Sequence, residues 1–222
     1  MQTQPVSNIQ FKGIPLSKVK IMTDKGEAAK YTLYKAIHGD EPFLEDIYLH
    51  TNVMNRYKKL TQDEYKTWDS ILMYGLNQML GNNKFTLLIA DNKNCPCGFL
   101  NYTEYPQKLV VNYAATWPNK KDEREIMAGK TLFRELFDIF VNDRTRKTIE
   151  LEALRLAPFS PVTKYRELGF YSVGGSNWQE SMKISNLRAL ETIEKFKDKI
   201  LRREIKKEIN VDFNKTLHIV AD

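Results

Sequence analysis

The sequence predicts a mixed α/β (α+β) fold, in which a mostly antiparallel sheet carries helices on both faces and a C-terminal amphipathic helix follows. Short apolar runs at 85–90, 98–104 and 109–116 are separated by brief turns, which is typical of an antiparallel meander. Apolar residues spaced three and four apart predict helices before and after it. The 222 residues are enough for one substantial core.

The first half of the chain predicts two strands, two helices and the meander. Residues 16–22 and 31–37 read as strands joined by a turn that contains Gly26, and an amphipathic helix spans 43–57. Thr61 and Glu64 have the spacing of a capping box, so a second helix begins there and ends near Gly81.

The second half alternates helices with strands. The sequence predicts a helix at 127–141, a strand at 149–154, a helix that begins after Ser160 and a strand at 178–184, in that order. A long amphipathic helix is expected over 186–209, and a further strand over 211–220. We therefore expect a domain at 1–185 and a helical extension at 186–222 that packs on it or forms a homodimer.

Composition narrows the classes of partner. The net charge of +6 and the pI near 9.1 favour anionic ligands, but the basic residues are dispersed, which makes nucleic acid an unlikely partner. No apolar stretch reaches the length of a membrane span and the first ten residues are polar, so the expected location is cytoplasmic. Two cysteines and three scattered histidines predict no metal site.

The segment from Arg124 to Thr131 is a candidate anion-binding loop. It precedes a predicted helix, whose first backbone N–H groups lack intrahelical acceptors, and Gly129 would allow a phosphate to approach the backbone. Gly129-Lys130-Thr131 matches the end of a nucleoside-triphosphate loop, but Arg124 stands where that motif needs its first glycine. An ordinary helix start remains an alternative.

Two motifs, together with the order of elements over residues 28–185, resemble the GNAT superfamily of N-acetyltransferases. Arg124-x-x-Met127-x-Gly129 is similar to the family's Gln/Arg-x-x-Gly-x-Gly/Ala loop, with methionine in place of the middle glycine. Tyr165 to Phe170 matches the family's Tyr-x-x-x-Gly-Phe pattern in full.

The resemblance implies a site for acetyl-CoA or another acyl-CoA between the strands at 109–116 and 149–154. The residues implied to bind this cofactor through their backbone are Tyr113, Ala114, Ala115, Thr116, Met127, Ala128, Gly129 and Lys130. Arg124 would add charge beside the pyrophosphate. The acceptor would be an amine, carried by a small molecule or by a protein.

The same resemblance implies direct transfer of the acyl group to the amine. A backbone N–H near Ala114 or Ala115 would stabilise the oxyanion, and Tyr165 is the candidate general acid. The sequence identifies no clear general base: the strand glutamates Glu104, Glu150 and Glu152 are candidates, and so is water.

The acceptor side and the overall activity leave alternatives open. Five aromatic residues could line an acceptor pocket or belong to the core: Tyr102, Tyr105, Tyr113, Trp117 and Trp178. The function expected first is that of an acyl-CoA-dependent N-acetyltransferase. The alternatives are a catalytically degenerate GNAT-fold binding or assembly module and a basic nucleic-acid-binding protein.

Overall fold

The computed structural model describes residues 11–50, 61–77, 80–117, 127–155 and 161–205, which form nine strands and five helices. The strands are β1 Ile14–Thr23, β2 Gly26–Ala36, β3 Lys84–Asp91, β4 Pro96–Tyr105, β5 Lys108–Thr116, β6 Thr148–Leu154, β7 Tyr171–Gly175, β8 Gln179–Ser185 and β9 Ile200–Glu204. The helices are α1 Glu41–His50, α2 Gln62–Asn77, α3 Ala128–Asn142, α4 Pro161–Glu167 and α5 Asn186–Phe196.

The nine strands form one sheet in the order β7-β8-β6-β5-β4-β3-β2-β1-β9. Every pair of neighbours is antiparallel except β5 and β6, which are parallel. A parallel pair needs a crossover connection, which α3 supplies. The predicted mixed, mostly antiparallel sheet is confirmed.

Helices cover both faces of the sheet, also as predicted. Successive strand residues point to opposite faces. In β2, Leu33 belongs to the core that includes Phe137 of α3, whereas its neighbour Tyr34 belongs to the core that includes Trp68 of α2. The helices α3 and α5 therefore enclose one core, and α1 and α2 enclose the other.

Local signals set the ends of two helices. The backbone N–H of Thr61 donates to Glu64 Oε2 at 2.8 Å and the N–H of Glu64 donates to Thr61 Oγ1 at 3.3 Å, which is the predicted capping box. Gly169 follows α4 with φ +89°, a backbone conformation that favours glycine. The predicted cap Ser160 lies outside the described residues.

The predicted helix at 186–209 is wrong over 197–205, and its last four residues lie outside the described part of the chain. The chain turns there and forms β9, which pairs with β1 at the far end of the sheet. Ile200 is buried, and Arg202 binds the buried carboxylate of Glu135 on α3 with Nε–Oε2 and Nη2–Oε1 distances of 2.8 Å. These distant partners override the local helical period.

Three other expectations at the ends of elements have different outcomes. Strand β7 was not predicted. The expected strand at 211–220 and the second half of the expected helix at 43–57 lie outside the described residues. The domain division at residue 186 and the homodimer stay predictions.

Candidate active site

The parallel strands β5 and β6 part midway along their length. They pair from Lys108 with Thr148 to Val111 with Leu151, although β5 continues to Thr116 and β6 to Leu154. The pairing of β5 with β4 skips Asn112, so this residue forms a β-bulge at the point of separation. From Tyr113 to Ala115, the edge of β5 that faces β6 forms no ladder with another described strand.

Two cavities meet at this opening. The first, here the α3 cavity, has a volume of about 350 Å³ and is lined by the end of β5, the start of α3 and α4. The second, here the α2 cavity, has a volume of about 300 Å³ and lies between α2, β5 and β6. Four residues line both cavities: Trp68, Ala114, Pro161 and Tyr165.

The start of α3 presents backbone donors beside the α3 cavity. Met127 precedes the helix in the left-handed conformation, with φ 57° and ψ 16°, and no side chain caps the helix. The N–H groups of Ala128, Gly129 and Lys130 have no intrahelical acceptor, and the helix dipole makes this end positive. A Cβ added at Gly129 would meet only Thr116 Cγ2, at 3.8 Å, so packing does not demand a glycine there.

The charge of the α3 cavity is positive. Lys130 and Lys164 line it, and Glu167 is its one carboxylate among the described lining residues. Lys130 Nζ lies 2.9 Å from Glu167 Oε2, and this lysine lowers the pKa of the glutamate. Lys164 forms no ion pair with any described residue, so the described lining, with two lysines and one glutamate, carries one net positive charge.

Tyr165 stands where the two cavities join. Its ring packs edge-on against Phe133 and Phe170, with centroid distances of 5.4 and 5.9 Å. Its hydroxyl makes no hydrogen bond within the described residues, and burial raises the pKa of Tyr165 to about 12. The phenol therefore keeps its proton at neutral pH and has a donor available.

The structure does not bring the candidate bases Glu104 and Glu150 to this opening. Glu104 Oε2 accepts a hydrogen bond from Arg146 Nη2 at 2.6 Å, and Glu150 Oε2 accepts one from Lys108 Nζ at 2.6 Å. Neither residue lines a cavity described above. A role for either as general base stays a prediction, and the geometry gives it no support.

Two other carboxylates do line the α2 cavity, Glu64 and Glu152. Sequence reasoning considered Glu152 only as one of three strand glutamates. It assigned Glu64 to helix capping alone, because the capping signal is local. Nothing in the sequence indicates that α2 lies across the opening from β6.

The five candidate aromatic residues divide between core and site. Tyr102 and Trp117 are buried in the two cores, and Tyr105 and Trp178 are exposed. Only Tyr113 lines the α2 cavity. Trp68 of α2, which was not among these five candidates, lines both cavities.

Several of the candidate cofactor-binding residues line these two cavities. Tyr113 and Ala114 line the α2 cavity, and Ala114, Ala115, Thr116, Gly129 and Lys130 line the α3 cavity. Ala128 is buried at the helix start and Arg124 lies outside the described residues.

No described helix is long and apolar enough to cross a membrane, and no described cluster of three or more histidine, cysteine or acidic residues could hold a metal ion.

Comparison with known proteins defines the class of fold. No family model and no curated protein sequence matches this chain. The apo structure of FdhC, a nucleotide-linked sugar GNAT, matches with a TM-score of 0.53 at 8% identity, over 86% of this chain and 98% of that one. This chain therefore has the GNAT fold, as its motifs implied.

Other similar structures are N-acetyltransferases by name. The spermidine N-acetyltransferase of Vibrio cholerae, in complex with CoA and spermine, is 18% identical with a TM-score of 0.47, over 72% of this chain and 98% of that one. The ribosomal-protein-S18-alanine N-acetyltransferase of Escherichia coli is 16% identical with a TM-score of 0.46, over 70% of this chain and 93% of that one.

Proposed function

We propose that this protein is an N-acyltransferase that transfers an acetyl or other acyl group from coenzyme A to an amine. One observation carries the proposal. A cavity with helix-start donors and a described lining of net positive charge meets a second, carboxylate-lined cavity at Tyr165, in the opening between β5 and β6. The GNAT fold is consistent with this reaction.

The donors of the α3 cavity fit the anionic part of the cofactor. The N–H groups of residues 128–130 suit a pyrophosphate, and Lys164 adds positive charge. The edge of β5 from Tyr113 to Ala115, which lies beyond the last residue paired with β6, offers hydrogen bonds to an extended amide-containing arm, as an added strand would. A contribution from Arg124 stays a prediction of the motif.

The protein's own groups would then favour the transfer in three ways. When bound, the cofactor supplies an acyl group that is activated as a thioester. A backbone N–H of β5 near Ala114 or Ala115 would donate to the carbonyl oxygen as it gains negative charge. A carboxylate of the α2 cavity, or water, would take the proton that the ammonium loses before its nitrogen forms the new C–N bond.

Tyr165 would act on the departing sulfur, which leaves with the electron pair of the broken C–S bond. Because the pKa of Tyr165 is about 12, its phenol is a weaker acid than an ordinary thiol, whose pKa is about 8.5. The hydroxyl would therefore stabilise the sulfur by a hydrogen bond and keep its proton. The second proton of the nitrogen would pass to the sulfur or to solvent.

A thermal-shift titration with acetyl-CoA, free CoA and ATP tests the cofactor site. A ligand at about 100 times its Kd adds roughly 2.7 kcal/mol, which for a chain of this size raises the Tm by about 5–10 °C. We expect both CoA species to produce this shift and ATP to produce none. No shift with CoA at millimolar concentration would overturn the proposal.

Two variants at Gly129 separate ligand binding from folding. Gly129→Glu would place a carboxylate among the helix-start donors and should abolish the CoA shift. Gly129→Ala is the matched control, because the added Cβ would make only ordinary contact with Thr116. A CoA shift without transfer to any amine would instead favour the non-catalytic binding module.

A further inference from the structure

We infer that the α2 cavity binds a small protonated monoamine with an apolar body, such as an arylalkylamine or a branched alkylamine, and that Glu152 holds its ammonium group. This inference rests on the proposed function and names the acceptor class of that same site. It depends on the walls of the cavity and on which of its charges are compensated.

The walls of the α2 cavity are mainly apolar. They come from α2, β5, β6 and the start of α4, and their apolar side chains are Trp68, Ile71, Val111, Leu151, Leu154 and Pro161. The volume of about 300 Å³ is at the lower end for small-molecule sites. Such walls favour a compact apolar group, because burying it removes apolar surface from water.

The only charged side chains among the described lining residues are Glu64 and Glu152. Glu64 is held by the backbone N–H of Thr61 in the capping box. Glu152 is exposed at the rim of the cavity, its Oε2 accepts a hydrogen bond from the Ser181 hydroxyl at 3.0 Å, and no described lysine or arginine forms an ion pair with it. The described lining of the cavity therefore presents net negative charge, which favours a cationic ligand.

A comparison within β6 shows that the charge of Glu152 is distinctive. Glu150 and Glu152 are two apart and so face the same side of the sheet. Glu150 is neutralised by Lys108, with an Nζ–Oε2 distance of 2.6 Å, whereas Glu152 has only the serine hydroxyl. Glu152 is thus the β6 carboxylate that is open to an ammonium group from solution.

Glu152 also lies close to the point of reaction. It directly follows Leu151, the last residue of β6 that pairs with β5, and it shares the α2 cavity with Tyr165. An ammonium held by Glu152 would thus lie beside the opening where the proposed function places the thioester. The same carboxylate could then accept the ammonium proton.

The cavity also disfavours two other classes of amine. A free amino acid would bring its carboxylate towards Glu64 and Glu152, which repel it. A polyamine such as spermidine carries three ammonium groups, whereas the described lining has two carboxylates, one of them held in the capping box, so at least one ammonium would lie unpaired against apolar walls. Charge and apolar surface together therefore select a monoamine.

The test compares four amines in turnover and binding. CoA release from acetyl-CoA would be measured at pH 8 with 2-phenylethylamine, isoamylamine, spermidine and phenylalanine. We expect kcat/KM for the two monoamines to exceed that for spermidine at least 10-fold, with no use of phenylalanine. Calorimetric titration of 2-phenylethylamine into CoA-saturated protein should detect binding, and a parallel titration with spermidine should be at least 10-fold weaker.

Glu152→Gln tests the assigned residue. We expect it to weaken binding of 2-phenylethylamine at least 10-fold while the affinity for CoA stays within twofold. Glu191→Gln, the same change on the exposed surface of α5, is the matched control and should alter neither.

Each contrary outcome has a separate meaning. Preference for spermidine or phenylalanine would overturn the amine class and leave acyl transfer standing. CoA binding with no response to either monoamine would also overturn the amine class. Unchanged amine binding in Glu152→Gln would overturn the role of that residue. Failure to bind CoA would overturn the proposed function together with this inference.

Discussion

Replacing Tyr165 by phenylalanine removes one hydroxyl group at the junction of the two cavities. The ring contacts with Phe133 and Phe170, at 5.4 and 5.9 Å, would be kept. The hydroxyl makes no hydrogen bond to another described residue, so its loss breaks none of the described bonds. We expect the free energy of unfolding at pH 7.5 to change by less than about 0.5 kcal/mol.

The effect on catalysis should be much larger. A hydrogen bond to a charged atom contributes about 1.5–3 kcal/mol. If the Tyr165 hydroxyl donates such a bond to the departing sulfur, its removal lowers kcat by about 10- to 150-fold. CoA affinity should stay within about twofold. Release of CoA, followed with a thiol reagent, measures kcat, and calorimetry measures the affinity.

The raised pKa of Tyr165 predicts how stability depends on pH. Burial raises this pKa from 10.0 to about 12 in the folded protein. Below pH 10 both states hold the proton and nothing changes. Above pH 10 the unfolded chain ionises first, so stability falls until the pH passes about 12. At pH 10.5 the loss is about 0.8 kcal/mol, or about 2–3 °C in Tm, and Tyr165→Phe should lack it.

Three results would refute this reasoning. A kcat within twofold of the unaltered protein would remove Tyr165 from the reaction. A fall in Tm of more than about 5 °C at pH 7.5 would show that the hydroxyl has a structural partner. Equal losses of stability between pH 8 and pH 10.5 in both proteins would show that burial does not raise the phenol pKa.

Other substitutions test the loop, the far edge of the sheet and a helix end. Met127→Gly should leave CoA affinity in calorimetry within about twofold, because φ is already 57° without a ligand and the methionine side chain packs against the core that includes Phe133; weaker binding would mean that Met127 contacts the ligand. Arg202→Ala would leave the buried Glu135 carboxylate without its guanidinium partner. The free energy of unfolding, measured by urea titration, should therefore fall by about 3–5 kcal/mol. A loss below about 1 kcal/mol would contradict the assigned ion pair. Gly169→Ala should lower Tm more than Gly26→Ala. Both glycines have positive φ, but only at Gly169 would the new Cβ lie 2.8 Å from a threonine hydroxyl. Equal losses of Tm would show that this contact relaxes.

Much of the fold could be read from local patterns. The meander, the capping box of Thr61 and Glu64, the helix at 127–141 and the turn at Gly169 each depend on residues within a few positions of one another. The loop and tyrosine motifs then indicated the GNAT fold and the opening between two strands. These features needed no knowledge of distant partners.

The choice among the glutamates required the tertiary structure. Glu104, Glu150 and Glu152 all lie on strands and look alike in sequence. Arg146 and Lys108, each 42 residues away, neutralise the first two, and only the third lines a cavity. Ion pairing across such separations depends on strand register, which no local pattern contains.

The end of the described chain shows the same division between sequence and tertiary structure. The sequence by itself determined that residues 186–196 form an amphipathic helix. That β9 follows it was decided by β1 and by Glu135, which lies 67 residues before Arg202. Local periodicity determines whether a segment is a helix or a strand when residues close in sequence supply its stabilising interactions. Where a buried charge and an open sheet edge lie elsewhere in the fold, only the assembled structure shows which conformation satisfies them.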